Sequence, residues 1–471
     1  MATVLILDCG ATNVRAIAMD HQGHILASHH QSNQTLVDPQ NSHYQLWDFA
    51  QIMQKLFHCS KQVIEQLNQQ EIIIEAIGVT TFGVDGAPFI GGEQCYPVIS
   101  WKCPRTIPIM QNLATEFDVQ QLYQRNGIGQ YSFNTLYKLR WLQQHEPSLY
   151  AKIEKFVFIS SMLTYHLTGV MTTDRTMAGT SMMTSLQTEQ WDPTTLSLLD
   201  LTPEQFPPIV QAGEQIGTLL PEIAKELGLL AGIPVISCGH DTQFAILGSG
   251  AGLNQPVLSS GTWEILMART QQAMVEQDYQ KQGLTTEFDA VAGVFNPAVQ
   301  WVGSGILEWI GQLLFSDCYH KPEYYQTMIR EAMAVNVETS QALLQGEFTF
   351  NDQQFGLGQF SGLSIHTTRG ELYRAALVYM AKKLKSGLAL LQQVGDFKAE
   401  KLICVGGGSK NTFWNQLRAN EIGIPIDVVQ VAEATALGAA MTVFTGIGVY
   451  SDLQVAQHAM QATCKRVMPQ S

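Results

Sequence analysis

The sequence predicts an α/β protein of two domains whose cores share one topology. Three observations carry that prediction. The chain has 471 residues, more than a single core usually serves. "VLILDCGATNVRAIAMD" at 4–20 is an apolar run, a glycine turn and a second apolar run, which is a hairpin signal. "QPVLSSGTWEILMA" repeats that device in the second half, with Gly261 and Thr262 in its turn where the first has Gly10 and Thr12.

The elements follow in order. After the first two strands, "DHQGH" turns the chain and "ILASHHQ" makes a third strand. "WDFAQIMQKLFHCSKQVIEQL" has apolar residues at helical spacing, with Asp48 near its start. "IIIEAIGVTTFG" is a buried strand that runs into a glycine turn, and residues 135–145 and 150–168 read as helices. "GIPVISCGHDTQFAILGSGAG" reads as a strand, a polar turn and a stretch of small residues. The boundary falls between 244 and 256, giving domains 1–248 and 249–471. No low-complexity linker separates them, so a packed interface is expected. In the last third, 303–315 and 370–394 are helical; then come strand 401–405, glycine loop 406–408, helix 411–421, strand 426–429 and helix 433–446.

Composition narrows the function. Hydrophobic residues make up 45% and charged residues 14%, which is ordinary for a globular protein. A net charge of −14 argues against nucleic acid and anionic membrane as partners. The eight cysteines form no C-x-x-C pair and lie in apolar segments, which suits reduced thiols. No apolar stretch reaches the roughly 18 residues of a membrane span, and no signal segment is evident. A cytoplasmic protein is expected. The sequence is silent on whether the chain forms a homo-oligomer.

Candidate chemistry sits at the turns. A Rossmann or Walker loop opens a helix after its glycines, whereas a strand follows Gly10. The other reading of a phosphate turn is a nest of backbone N–H groups, with Thr12 and Asn13 as short donors. Asp8 would repel bare phosphate and makes sense with Mg²⁺ between them. A plain hairpin with an Asx turn would use the same residues. Ser260, Gly261 and Thr262 offer donors from the second half. "VGGGSKN" places three glycines between a strand and a helix start, which suits a nucleotide against bare backbone. "CGHDTQ" puts His240, Asp241 and Thr242 after an apolar strand; Asp241 could take a proton from a substrate hydroxyl. His240 could equally be structural, and Cys238 reads as core. Gly83, Asp85, Trp101 and Arg105 in "TTFGVDGAPF" and "ISWKCPRT" suit a polyol, and Asn296 follows an apolar run. Core packing of Trp101 and an Asn-Pro turn are the alternatives.

Seven strings in one order, "LILDCGATNVRAIA", "VTTFGVDGA", "ISWKCPRT", "SFNTLYKL", "GHDTQFA", "LSSGTWEILM" and "VGGGSKNTFWNQ", resemble the FGGY carbohydrate kinases over nearly the whole chain. The resemblance implies two actin-like, ribonuclease-H-like domains with ATP and sugar in the cleft between them. It implies Asp241 as catalytic base, and Gly10, Thr12, Asn13, Arg15 and Thr262 on the ATP phosphates. Gly406, Gly407 and Asn411 would lie by the adenosine. Gly83, His240, Thr242 and Asn296 would hold a ketose. Gly83-Val84-Asp85 stands where glycerol kinases carry Arg-Glu, and the Met-His of xylulokinases is missing. The resemblance of the seven strings implies L-fuculose, phosphorylated at its 1-hydroxyl with ATP and Mg²⁺; L-rhamnulose and D-ribulose are the competing acceptors. Asp8 together with Asp241 speaks against a silent sugar or nucleotide sensor, which needs neither metal nor base.

Overall fold

Thr3–Cys9, seven buried residues, form the central strand of the first sheet in the computed structural model, which describes residues 2–348, 350–351, 354–355, 357–430 and 433–470. An unbroken apolar run suits a strand covered on both faces. It pairs antiparallel with Asn13–Asp20, Asp8 opposite Arg15. That strand pairs antiparallel with Ile25–Ser32. On its other side Thr3–Cys9 runs parallel to Ala76–Thr81, which runs parallel to Pro234–Ile236. Gln215–Thr218 closes the edge antiparallel.

Alternation along the central strand assigns its two faces. Leu5, Leu7 and Cys9 share a core with Ile52, Leu56 and Val63 of the helix Phe49–Asn68, whose first turn Asp48 caps by accepting from Gln51 N at 3.0 Å. On the opposite face Ile6 and Val443 approach Gly78, Val443 belonging to the helix Ala434–Gly446. That helix also packs on Asp241–Gly248. A Cβ on Gly438 would fall 1.9 Å from the Phe244 carbonyl oxygen, and one on Gly248 1.9 Å from that of Ala434. The small-residue stretch after Asp241 is thus a helix, because its small side chains let two helix backbones touch. Residues 150–168 also differ from the sequence reading. Lys155–Phe158 is a strand paired with Gly86–Ile90, and Ile159–Thr168 is the helix; the run Phe156, Val157, Phe158 is buried on both sides of the strand.

Contacts divide the chain into two units: Met1–Gly252 with Val275–Asn296 and Ala432–Ala462, and Leu253–Met274 with Pro297–Val431 and Thr463–Ser471. Six of the seven strands of the second sheet run in the order Phe295–Val302, Trp263–Ala268, Pro256–Ser260, Leu402–Val405, Ile426–Val429, Cys464–Val467. Pro256–Ser260 is antiparallel to Trp263–Ala268 and parallel to Leu402–Val405. Order and sense repeat the first sheet, so the likeness of the two turns extends to whole sheets. Among the described residues no helix is long and apolar enough to cross a membrane. All eight cysteines are free thiols; Cys464 is exposed.

The helix crossing yields a test. Gly438→Val cannot be accommodated without moving the Phe244 backbone, and overpacking of this kind typically destabilises by about 1–3 kcal/mol, occasionally more. Gly407→Ala, with open space around it, should change stability by less than about 0.5 kcal/mol. Calorimetric melting of both variants checks the contrast; equal melting points would contradict the close crossing.

Candidate active site

Ligands of parallel α/β sheets gather beyond the carboxyl ends of the strands. At those ends the first unit places Asp8, Gly83 and His240–Asp241, on three adjacent strands. Backbone bonds lock the ends together: Phe82 N donates to Cys9 O at 3.1 Å and Thr81 N to Gly239 O at 2.9 Å.

The first turn closes by Gly10 N donating to Asn13 O at 2.9 Å. A Cβ on Gly10 would sit 2.8 Å from that oxygen, so glycine is required. Asn33 braces the turn from behind, its Nδ2 donating to Gly10 O at 3.0 Å. Thr12 is exposed and Asn13 half-buried. Asn13 and Arg15 line a cavity of about 160 Å³. Arg15 is not a free anion donor: its guanidinium bonds Glu433 and lies 3.8 Å from Asp8. Asp8 accepts from Thr80 Oγ1 at 3.2 Å. Burial, and then the Asp241 charge, push its carboxyl up to about 7, against the pull of Arg15.

Asp241 is the first residue of its helix. Its Oδ1 accepts from Thr242 Oγ1 at 3.2 Å and lies 3.5 Å from His240 Nε2. Burial raises its pKa, and His240 opposes the rise. The His240 ring lies against Gly83, where a Cβ would come within 2.8 Å of Nε2. Its Nδ1 is 3.2 Å from Glu287 Oε2. Burial disfavours the imidazolium, yet Glu287 and Asp241 outweigh it and hold the pKa above the ordinary value. His240 N donates to Thr176 Oγ1 at 2.8 Å, and Thr176 is bonded to the buried Asp174. Gln243 Nε2 donates to Glu287 Oε2 at 2.5 Å, and Asn296 Nδ2 donates to Gln243 Oε1. The Asn296 carbonyl oxygen, also buried, has no partner among the described residues. Asn296 thus joins His240 and Asp241 through a chain of side chains.

Asp85 and Arg105 differ from the sequence reading. Asp85 is fully buried; it accepts from Trp47 Nε1 at 2.7 Å, Trp101 N at 3.0 Å and Lys138 Nζ. It holds the exposed Trp101 by its backbone. Arg105 lies in the core, donating to Asp38 at 2.7 Å, with its guanidinium 4.3 Å and 4.6 Å from the Tyr44 and Trp141 rings. Both carry the polar chemistry of a sugar site, and partners distant in sequence enclose both.

In the second unit Gly261 and Gly406–Gly408 follow adjacent parallel strands. Gly261 N donates to Trp263 O at 3.0 Å, and Thr262 is exposed. Ser260, expected to face phosphate, points inward to Glu264 and Arg418. Gly406 has φ +90° and Gly407 has open space around it. Asn411 caps the helix Thr412–Ile422, its side chain accepting from Trp414 N at 3.0 Å.

Sequence reading missed Glu287, Gln243, Glu433, Asp174 and Lys138. Only Lys138 carries a signal, a cation among apolar positions in "TLYKLRWL". Among the described residues no three His, Cys, Asp or Glu side chains converge as a protein-only metal cage.

The N-terminal domain model of the FGGY family of carbohydrate kinases matches residues 3–248, and its C-terminal domain model matches 257–446. The chain belongs to that family. Among its relatives, the L-fuculokinase of Haemophilus influenzae is 58% identical over all of both chains. That of Escherichia coli K12 is 43% identical over 99% of this chain and 97% of its own. A rhamnulokinase of Bacteroides thetaiotaomicron is 30% identical over 81% and 78%. Of solved structures, xylulose kinase from Rhodospirillum rubrum superposes with a TM-score of 0.90 at 21% identity, over 99% of this chain and 94% of that one. Plasmodium falciparum glycerol kinase with ADP gives 0.88 at 19%, over 100% and 94%. These last two show the fold.

Asp8 yields a pH test. Its carboxyl titrates near 3.8 when unfolded and at about 7 when folded. Between those values the folded chain binds the extra proton, so stability falls as pH rises through the window. Asp8→Asn carries no such penalty. With a chelator present, it should melt above the parent at pH 8, the gap narrowing toward pH 4. A gap that does not depend on pH would contradict the raised carboxyl.

Proposed function

We propose that this chain transfers the γ-phosphoryl group of ATP to the 1-hydroxyl of L-fuculose, giving L-fuculose 1-phosphate and ADP. The likeness to an L-fuculokinase over the full length of both chains carries the choice of sugar. The carboxylate of Asp241 at a strand end, half-exposed beside a histidine, supports the chemistry.

On this reading residues 1–248 bear the base, the first phosphate turn and most sugar contacts. Residues 249–471 bear the second turn and the adenosine loop, with Glu287 and Asn296 contributed back to the first unit. Gly83 and Trp101 form the sugar's floor and face. Thr242 and the unpaired oxygen of Asn296 take its hydroxyls. Asp85 acts through the Trp101 backbone rather than by contact. Asp241 accepts the proton of the attacking hydroxyl, and the neighbouring His240 opposes the rise that burial causes in its pKa. In a loose transition state the proton leaves late, so Asp241 also serves by aiming the oxygen. Thr12, Asn13 and the Gly10 turn receive phosphate oxygens, as do Gly261 and Thr262 in the second unit. Arg15 must leave Glu433 or share it to do so. Gly406, Gly407 and Asn411 flank the adenosine.

The residues fit Mg²⁺. Burial, and then the Asp241 charge, raise the Asp8 pKa, which Arg15 offsets only in part, and Mg²⁺ commonly takes one or two carboxylates with the rest of its shell from phosphate and water. When bound it would offset charge on the phosphates.

Coupled measurement of ADP release across L-fuculose, L-rhamnulose, D-ribulose and D-xylulose tests the reading. The expected outcome is the highest kcat/KM with L-fuculose, and loss of turnover on chelation with recovery on adding Mg²⁺. A higher kcat/KM for L-rhamnulose would overturn the substrate; no ADP release with any ketose would overturn the activity.

A further inference from the structure

Behind the nucleotide-facing loops of the second unit lies a polar core whose members contact no solvent. Ser260, Glu264 and Arg418 are each fully buried. Arg418 Nη2 donates to Ser260 Oγ at 2.8 Å and pairs with Glu264 Oε1. Ser260 Oγ donates to the same Glu264 oxygen at 2.9 Å, and Trp301 Nε1 donates to the other at 2.8 Å. Arg418 Nη1 donates to Asn415 Oδ1 at 2.9 Å, and the guanidinium lies 3.5 Å from the Trp414 ring.

Stability alone gives little reason for such a group. Buried ion pairs are often replaced by apolar residues of similar volume without loss. What these residues touch supplies another reason. A Cβ on Gly406 would meet Ser260 O at 2.6 Å, and one on Gly408 would meet Ser260 Oγ at 2.3 Å. Asn415, held by Arg418, donates to Ser409 O at 2.6 Å, and Ser409 Oγ donates to Gly406 O at 2.7 Å. On the other side, a Cβ on Gly303 would lie 2.5 Å from Glu264 Cγ and 2.9 Å from Gly261 O. Gly303 N and Ser304 N each donate at 2.9 Å, to Thr262 O and Gly261 O. The buried charges therefore grip the 261–262 turn on one side and the 406–409 loop on the other. The outer surfaces, Gly407 and Thr262, are left bare.

We propose that Arg418, through Glu264 and Ser260, is a positioning residue for ATP that sets the spacing of the 261–262 turn and the 406–409 glycine loop. The assignment rests on the reading above, in which those loops receive the nucleotide. It concerns residues that touch neither ATP nor sugar.

The test is steady-state kinetics on the full chain, with KM determined separately for ATP and for L-fuculose. Ser260→Ala removes the hydroxyl that lies against Gly408 and accepts from Arg418, and leaves the ion pair. The double variant Glu264→Gln with Arg418→Met removes both charges together, so no buried ion is left alone. Arg418→Lys keeps the charge but not the forked geometry. Misplacement at this level should lower kcat/KM for ATP by about 10-fold to 100-fold. KM for L-fuculose should stay within about twofold, and Arg418→Lys should recover part of the loss. Variants that melt near the parent temperature yet keep the parent KM for ATP would overturn the proposal. So would an equal rise in both KM values, which marks general loosening. Should the double variant fail to fold, Ser260→Ala decides alone. Thr262→Ala separates the two layers of the argument. If it weakens ATP while Ser260→Ala does not, the positioning claim fails and the nucleotide site stands. If Thr262→Ala also leaves ATP kinetics unchanged, the nucleotide site itself is misassigned.

Discussion

Burial, and then the charge of Asp241, push the carboxyl of Asp8 toward protonation, and that constraint shapes the charges around it. Two acids out of water need either protons or cations. The hairpin register supplies one cation by setting Arg15 opposite Asp8. Glu433 claims most of that guanidinium. His240 supplies the second cation, beside Asp241, and its own charge is held by Glu287 on the far side of the ring. Gly83 makes room for the ring. On the proposed reading, these are the charges that a cation and a polyphosphate would meet.

The two sheets solve different problems with one topology. In the first, the strand ends carry charge: Asp8 and Asp241. In the second, the equivalent ends carry almost none at their surface. Gly261 and Gly407 offer backbone, and the charges of Glu264 and Arg418 are turned inward. A polyanion approaching a chain of net charge −14 needs such a surface. Bare N–H groups attract phosphate without a competing acid, and inward charges stiffen the loops without repelling it.

How much of this was legible in the sequence follows from the range of the interactions. The strand–turn–strand units around Gly10 and Gly261 are local, so pattern and turn chemistry reveal them. The helix Phe49–Asn68, the succession from Leu402 to Gly446, and the positions of Asp8, Gly83 and His240–Asp241 at or just beyond strand ends are legible for the same reason. Asp85 and Arg105 have the right chemistry for a sugar, but Trp47, Lys138, Asp38 and Trp141 enclose them, and no periodicity announces those partners. Glu287 and Glu433 come from segments far along the chain that return to the first unit. A lone acid in such a segment has no local signature. Ser260 points inward to Arg418, a partner 158 residues away that no local pattern announces.

The central claim is that Asp241 removes or aims the sugar's proton within a site otherwise complete. Asp241→Asn preserves size and hydrogen-bond reach while abolishing basicity. Single-turnover and steady-state rates with ATP and L-fuculose, alongside calorimetric titration of each ligand, test the claim most directly. The account predicts a kcat lower by about 10²–10⁴-fold, with both ligands still bound near their parent affinities. Retention of more than about a tenth of the parent kcat, outside the general-base range, would contradict it and move the search to another carboxylate.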